Sequence, residues 1–250
     1  MTFERNPTPP PEPGPTPVVG TATANQAPTP VQIRLQILST EHWSLLASRS
    51  LAWNESFTRA GMYLSTLSGA LVALGLIGGV TAFGTPFYVF ALVILPVVLF
   101  VGIGTWVRMA AANYHDAMTV FGMNRIRAAY LEIAPELAPY FVMGVHDDPR
   151  GISITMAVPP RTPPILHLIA ATPFLVMVLN AVVFGAIVAL ATGRLLTGDG
   201  AIPWIVVAAL VSAAAAIAAQ LALAARNIRS GQQLVVPMFP TPSSPDRRGA

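Results

Sequence analysis

Cysteine is absent from this chain of 250 residues, and so is lysine. The first absence removes disulfides, thiolate metal sites and cysteine nucleophiles, and it leaves the redox compartment open. The second leaves all fourteen basic residues as arginine, which reads as a coding bias rather than a demand of the surface. Charge is scarce altogether. Charged residues make up 10% of the chain, against about 25% in soluble domains. Hydrophobic residues make up 54%, and the mean hydropathy is +0.61. That balance excludes an ordinary soluble domain and points to a chain that crosses a membrane several times. The pI near 9.8 would suggest nucleic acid in a soluble protein. Here the arginines flank apolar runs, where they orient a chain against anionic lipid. No basic cluster with interleaved aromatics occurs, so no nucleic-acid partner is expected.

Proline is concentrated at the start. Residues 1–30 hold nine prolines among Thr, Ala, Gly and Val, and this arm is expected to be disordered or polyproline-like. The tail, "PMFPTPSSPDRRGA", has the same character, and the disordered tail is expected over 227–250. Four apolar runs follow the requirement of about 20 residues for a span. They are Gly61 to about Phe83, Phe87 to Val107, about Ile165 to Ala191, and Ala201 to Ala225. They give transmembrane helices 1 and 2 over 61–107 and helices 3 and 4 over 161–226. Thr162 with Pro163 and Pro164 suits the cap and first turn of the third. Thirteen arginines lie before the first span, between the second and third, or after the fourth. The two short connections hold only Arg194. This asymmetry predicts both termini and the central segment in the cytoplasm.

The polar flanks look helical. Trp43, Leu46, Ser50, Trp53, Phe57, Ala60 and Leu64 keep a 3-4 spacing that runs into the first span as an a/d seam. A cytoplasmic helix is predicted over 31–60 and a returning helix over 108–137, paired as an antiparallel stalk that stops near Pro135 and Pro139. With the turn centred near Gly84, residues whose numbers add to about 168 lie level. Arg59 then meets the level of Arg108, Glu41 that of Arg127, and Arg49 comes within a turn of Asp116. Between residues 138 and 160, Ile152, Ile154, Met156 and Val158 alternate with Ser153, Thr155 and Ala157 behind Asp148-Pro149-Arg150-Gly151. That pattern predicts a small β-hairpin. The expected fold class is therefore all-α integral membrane, with four transmembrane helices, a two-helix stalk and this hairpin.

Few residues invite chemistry. Asn54, Glu55, Arg59, His115 and Asp116 form a candidate polar layer where the stalk meets the first two spans. Glu55 and Arg59 stand i,i+4 in the favourable order, and histidine is the side-chain type suited to sensing protons. The layer sets helix register or senses a ligand or protons. His146-Asp147-Asp148 supplies only adjacent ligands, and turn chemistry accounts for the aspartates without a metal. The spans hold no Asp, Glu, Lys or Arg, whereas ion-coupled transporters place such groups at membrane depth. Asn180 and Gln220 are the candidate intramembrane polar residues, suited to a hydrogen bond between helices or to a pathway. His167 lies at the cytoplasmic end of the third run, and Pro96 and Pro173 are expected to interrupt spans two and three. Small residues recur as Gly61-Ser65-Gly69-Ala73, Ala181-Gly185-Ala189-Gly193 and Ala208-Ser212-Ala216. Packing within one chain is their simplest use, and a surplus stripe would serve self-association. No nucleophile elbow, P-loop, H-E-x-x-H or Rossmann pattern occurs, and no catalytic, cofactor-binding or metal-ligating residue is assigned.

The stretch "EHWSLLASRSLAWNESFTRAGMYLSTLSGALVALGL", with "MNRIRAAYLEIAPELAPYF", resembles uncharacterised bacterial multipass membrane proteins over about residues 40–142. The layout of a cytoplasmic helix, two spans and a returning helix is similar to SLATT-type membrane effectors, a group associated with membrane perforation in bacterial conflict. This chain adds two further spans. The resemblance implies a bacterial plasma (inner) membrane location and carries over no site residue. The expected role is a non-enzymatic scaffold, sensor or interaction protein. The alternative is an oligomeric channel, pore-forming effector or small-solute transporter. The partners this implies are the lipid bilayer, further copies in a homo-oligomer, and a cytoplasmic protein met by the proline-rich arm or the stalk.

Overall fold

The computed structural model describes residues 29–158, 163, 171–196, 198, 200–233 and 236–242. Most of the proline-rich arm, the Thr162 cap, His167 and the last eight residues lie outside that set. Among the described residues every regular element is a helix, and four helices are long and apolar enough to cross a membrane. The chain has the architecture of a multipass membrane protein.

Helix α1 (Pro30–Thr81) runs for 52 residues, about 78 Å at 1.5 Å per residue. That is more than twice the roughly 30 Å hydrocarbon core, so its first half stands outside the span. Its start is a capping box: the Gln32 amide donates to the Thr29 hydroxyl, and the Thr29 amide donates to Oε1 of Gln32 at 2.7 Å. Pro30 follows in the first turn, where its missing N–H costs nothing. The far end closes through Ala82 and Phe83, both left-handed at φ 47° and 56°. The Phe83 ring folds back over Gly78, where a Cβ would sit 2.6 Å from it. That contact requires glycine at 78.

Helix α2 (Thr85–Ile133) starts with Pro86 in its first turn and continues for 49 residues through Pro96. It stops two residues before Pro135, where a 3₁₀ turn (Pro135–Tyr140) takes over. The two long helices pair antiparallel, as the sequence predicts, but the hairpin turns about one to two residues earlier than Gly84. The cross-helix ion pairs show it: Arg34 meets Glu132, Arg49 meets Asp116, and Glu55 meets Arg108. Arg127 is not paired with Glu41 and bonds to Asn124 instead.

The expected β-hairpin is not there. Residues 138–160 form no strand among the described residues, and Pro149–Thr155 is a short helix, α3. Asp148 caps it by accepting from the Gly151 amide at 2.7 Å, and Pro149 fills the first turn. The residues read as a turn are thus a helix start, whose proline and aspartate suit either role. Gly151 is needed for packing here: a Cβ would lie 2.0 Å from the His146 carbonyl oxygen.

Helices α4 (Thr172–Leu195) and α5 (Ala201–Gln233) complete the spans. Pro173 sits in the first turn of α4 rather than interrupting it. Helix α1 packs extensively on α2 alone, α4 packs on α2, and α5 packs on α4. The four long helices thus form a row with α1 and α5 at its ends rather than a closed bundle. The core lies along α2, where Leu95, Val98, Trp106 and Met109 meet Tyr63 and Leu67 of α1 and Val176, Met177 and Val183 of α4. At Gly102 a Cβ would sit 2.0 Å from Oδ1 of Asn180 and 2.7 Å from the Tyr63 ring. Gly102→Ala is expected to destabilise the protein by about 1–3 kcal/mol through overpacking. Gly104→Ala, with nothing within 4 Å of its Cβ, is expected to be near neutral. Unfolding in detergent on SDS titration compares the two.

Candidate functional site

Opposite charges line the stalk because α1 and α2 offer them at matching heights. Nearest the spans, Glu55 accepts from Arg108 at 2.7 Å and from Arg59 at 2.9 Å. The two guanidiniums, Arg108 first, hold the Glu55 carboxyl below its ordinary range. About two turns further out, Asp116 is buried. It accepts from Nε of Arg49 at 2.6 Å and from Nε1 of Trp53 at 3.3 Å. Ser48 and His115 hydrogen-bond at 2.8 Å beside it. Four of the five residues singled out for the polar layer, Glu55, Arg59, His115 and Asp116, therefore stand within neighbouring turns. Asn54 does not join them: it is exposed, on the side of α1 turned away from α2.

A shallow cleft of about 370 Å³ opens here between the helices, lined by Ser48, Ala52, Glu55, Arg108, Ala112 and His115 among others. The small alanines keep the backbones open at this height. Ser48 and His115 have the spacing of a nucleophile and base, yet among the described residues no carboxylate holds the second ring nitrogen of His115. The contact ties α1 to α2 at this height. Among the described residues, no three His, Cys, Asp or Glu side chains gather into a metal site.

Further from the spans lies a network that local sequence patterns do not reveal. Asn124 is fully buried on α2. Its amide donates to the His146 carbonyl at 2.8 Å, and its oxygen accepts from Thr155 at 2.7 Å and Arg127 at 2.9 Å. Asp147, also fully buried, takes Arg125 at 2.7 Å and the backbone amides of Met238 and Phe239, each at 2.8 Å. Asp148 accepts from the Thr241 amide at 2.8 Å. Arg125 also donates to the Val236 carbonyl and lies over the Phe121 ring. His146-Asp147-Asp148 is thus a clasp for the segment after α5. Burial pushes the Asp147 carboxyl up, but the Met238 amide, Arg125 and the Phe239 amide outweigh it and leave it below the ordinary range. Deeper in the stalk, burial first and the Arg127 charge second lower His42, which stacks near Tyr130.

Within the spans, Asn180 and Gln220 meet. Nδ2 of Asn180 donates to Oε1 of Gln220 at 3.4 Å, and Gln220 donates back to the Ala216 carbonyl at 3.2 Å. Both are buried, and they join α4 to α5. No family model, curated protein or solved structure matches the chain.

The Asp147 clasp gives a pH dependence with a definite sign. A carboxyl lowered by folding contributes stability above its unfolded value, about 4, that is lost as pH falls through the folded value. Residues 236–242 are therefore expected to be protected from hydrogen exchange at neutral pH and released only below about pH 4. Asp147→Asn is expected to release them at pH 7, at a cost of about 1.5–3 kcal/mol. Exchange mass spectrometry on that peptide reads both.

Proposed function

We propose that this protein is a non-enzymatic docking scaffold of the bacterial plasma membrane, with its four spans as anchor and its helical stalk as the docking element. One observation carries this reading. Helix α1 presents Trp43, Leu46, Trp53 and Phe57 to solvent, with Trp43 68% and Phe57 58% exposed. These residues belong to the 3-4 seam, and α2 leaves most of it exposed although the Trp53 ring nitrogen reaches Asp116. Contiguous exposed apolar surface of this kind marks interaction sites. The interior supports the same reading. Asn180 and Gln220 bond each other between helices rather than facing a lumen, and the described parts of the spans hold no charged side chain other than at their ends. The arginine asymmetry supports a cytoplasmic stalk. So does the chain path, which brings the start of α1 and residues 236–242 to the stalk end.

A photo-reactive amino acid placed at Trp43 in cells is expected to give a discrete protein adduct, and proteoliposomes of the purified protein are expected to pass no solute. Solute flux that Asn180→Leu abolishes, with no adduct at Trp43, overturns the reading. Orientation is checked separately with the chain's freedom from cysteine. With Gly198→Cys an impermeant maleimide is expected to label intact cells, and with Ser44→Cys it is not.

A further inference from the structure

The seam on α1 does not end where the water does. At 100° per residue, Ser50 points roughly 140° around the helix from Leu45, which packs on Gly122 of α2. Trp43, Leu46, Ala47, Asn54, Phe57, Gly61, Leu64, Ser65 and Ser68 share the Ser50 side, and all are exposed. None is charged. Arg34, Glu41, Glu55 and Arg59 point elsewhere, and Arg49, at the margin, is bonded to Asp116. In the span, the same side carries Gly75 and Gly79. For Gly61, Gly69, Gly75 and Gly79, an added Cβ would meet nothing within 4 Å. Glycines used for packing in this chain look different: at Gly185 a Cβ would lie 2.9 Å from the Ala209 carbonyl. Among the described residues, the glycines of the α1 stripe are therefore not used for packing, contrary to the simplest expectation from sequence.

Two occupants of this face fall short. The bilayer can cover Trp53 and Phe57, but Trp43 lies about 24 Å along the helix from Arg59 at 1.5 Å per residue, beyond the headgroups. A water-soluble partner can cover Trp43 and Leu46 but not the glycines in the span. What matches the face along its whole length must cross the membrane at the same depth and direction. A second copy does so by symmetry. The face from Trp43 to Gly79 is about 54 Å long. At roughly 10 Å width, a symmetric pair would bury about 1,100 Å² in total, just past the ~1,000 Å² that a specific interface needs. Its margins carry no opposed charges: Ala47, Asn54 and Gly61 on one side face His42, the neutralised Arg49 and Ser56 on the other.

We infer that two copies pack in parallel along this face, as a left-handed coiled coil in the stalk that becomes a close glycine-lined contact in the membrane. The inference rests on the docking reading and names its partner. Ser50 and Ser68 lie on the same line of α1, five turns apart, one in the stalk and one in the span. Ser44 and Thr66 are about 120° and 160° off that line.

The test uses the full chain in native membranes, with one cysteine at a time and a mild oxidant. Disulfide dimers are expected for Ser50→Cys and Ser68→Cys and not for Ser44→Cys or Thr66→Cys. Adding Gly61→Ile, which has room within its own chain, is expected to lower both yields about tenfold. Equal yields at all four positions, or none at Ser50 and Ser68, overturn the dimer. If the Trp43 photo-adduct then contains a different protein, docking stands and this partner is wrong. If Trp43 gives no adduct, or lipid alone, docking falls with it.

Discussion

Water is missing from the hydrocarbon, so each backbone amide there must find its partner inside its own helix. Helix α2 meets that condition and then continues past the headgroups without a break to Ile133. Its continuity ties the wet and dry parts of the molecule together. In the span, α1 and α4 both pack on it and meet at Gly102. Outside, the same helix carries Arg108, Asp116, Asn124 and Arg125, which position the partner helix, the α3 loop and the segment after α5. Packing and polar contacts are thus placed along one rigid axis.

The polar contacts differ in what they can contribute. Arg34 with Glu132 and Glu55 with its two arginines are exposed, and pairs of that kind contribute little. Asp116 and Asp147 are buried carboxylates, and removing a partner from either would strand a charge. Those two fix geometry: one sets the register of the stalk, and the other closes the clasp. In the span the constraint is steric. Gly102 lets the Tyr63 ring and Asn180 converge on one point of α2.

Much of this was legible because it is written locally. Apolar run length marks the helices long enough to cross a membrane, and proline marks the stop near Ile133. The stalk register was nearly legible. It missed by about one to two residues, and Ala82 and Phe83, not a glycine, take the left-handed positions of the turn. The segment from Asp148 to Val158 was misread because a run of seven residues can alternate and still be a helical turn and its exit. The 3-4 seam is real, yet spacing alone does not say which side of α1 meets α2. The contacts of Asn124 with His146 and of Asp147 with Met238 and Phe239 use backbone groups 22 to 92 residues away in sequence, and no local pattern records them.

The clasp makes the second half of the chain a closed circuit. From Arg125 the backbone passes through α3, crosses the membrane on α4, returns on α5, and arrives at Val236, which Arg125 itself holds. A noncovalent contact that closes so long a loop restricts the chain much as a crosslink would. Helix α5 packs on α4, where Gln220 meets Asn180 and Ala209 approaches Gly185, and it is also held at both ends: by the short connection from α4 on one side and by a strap of backbone amides on the other. Its tilt against α2 cannot change without stretching that strap, which gives the least buried span a mechanical link to the stalk.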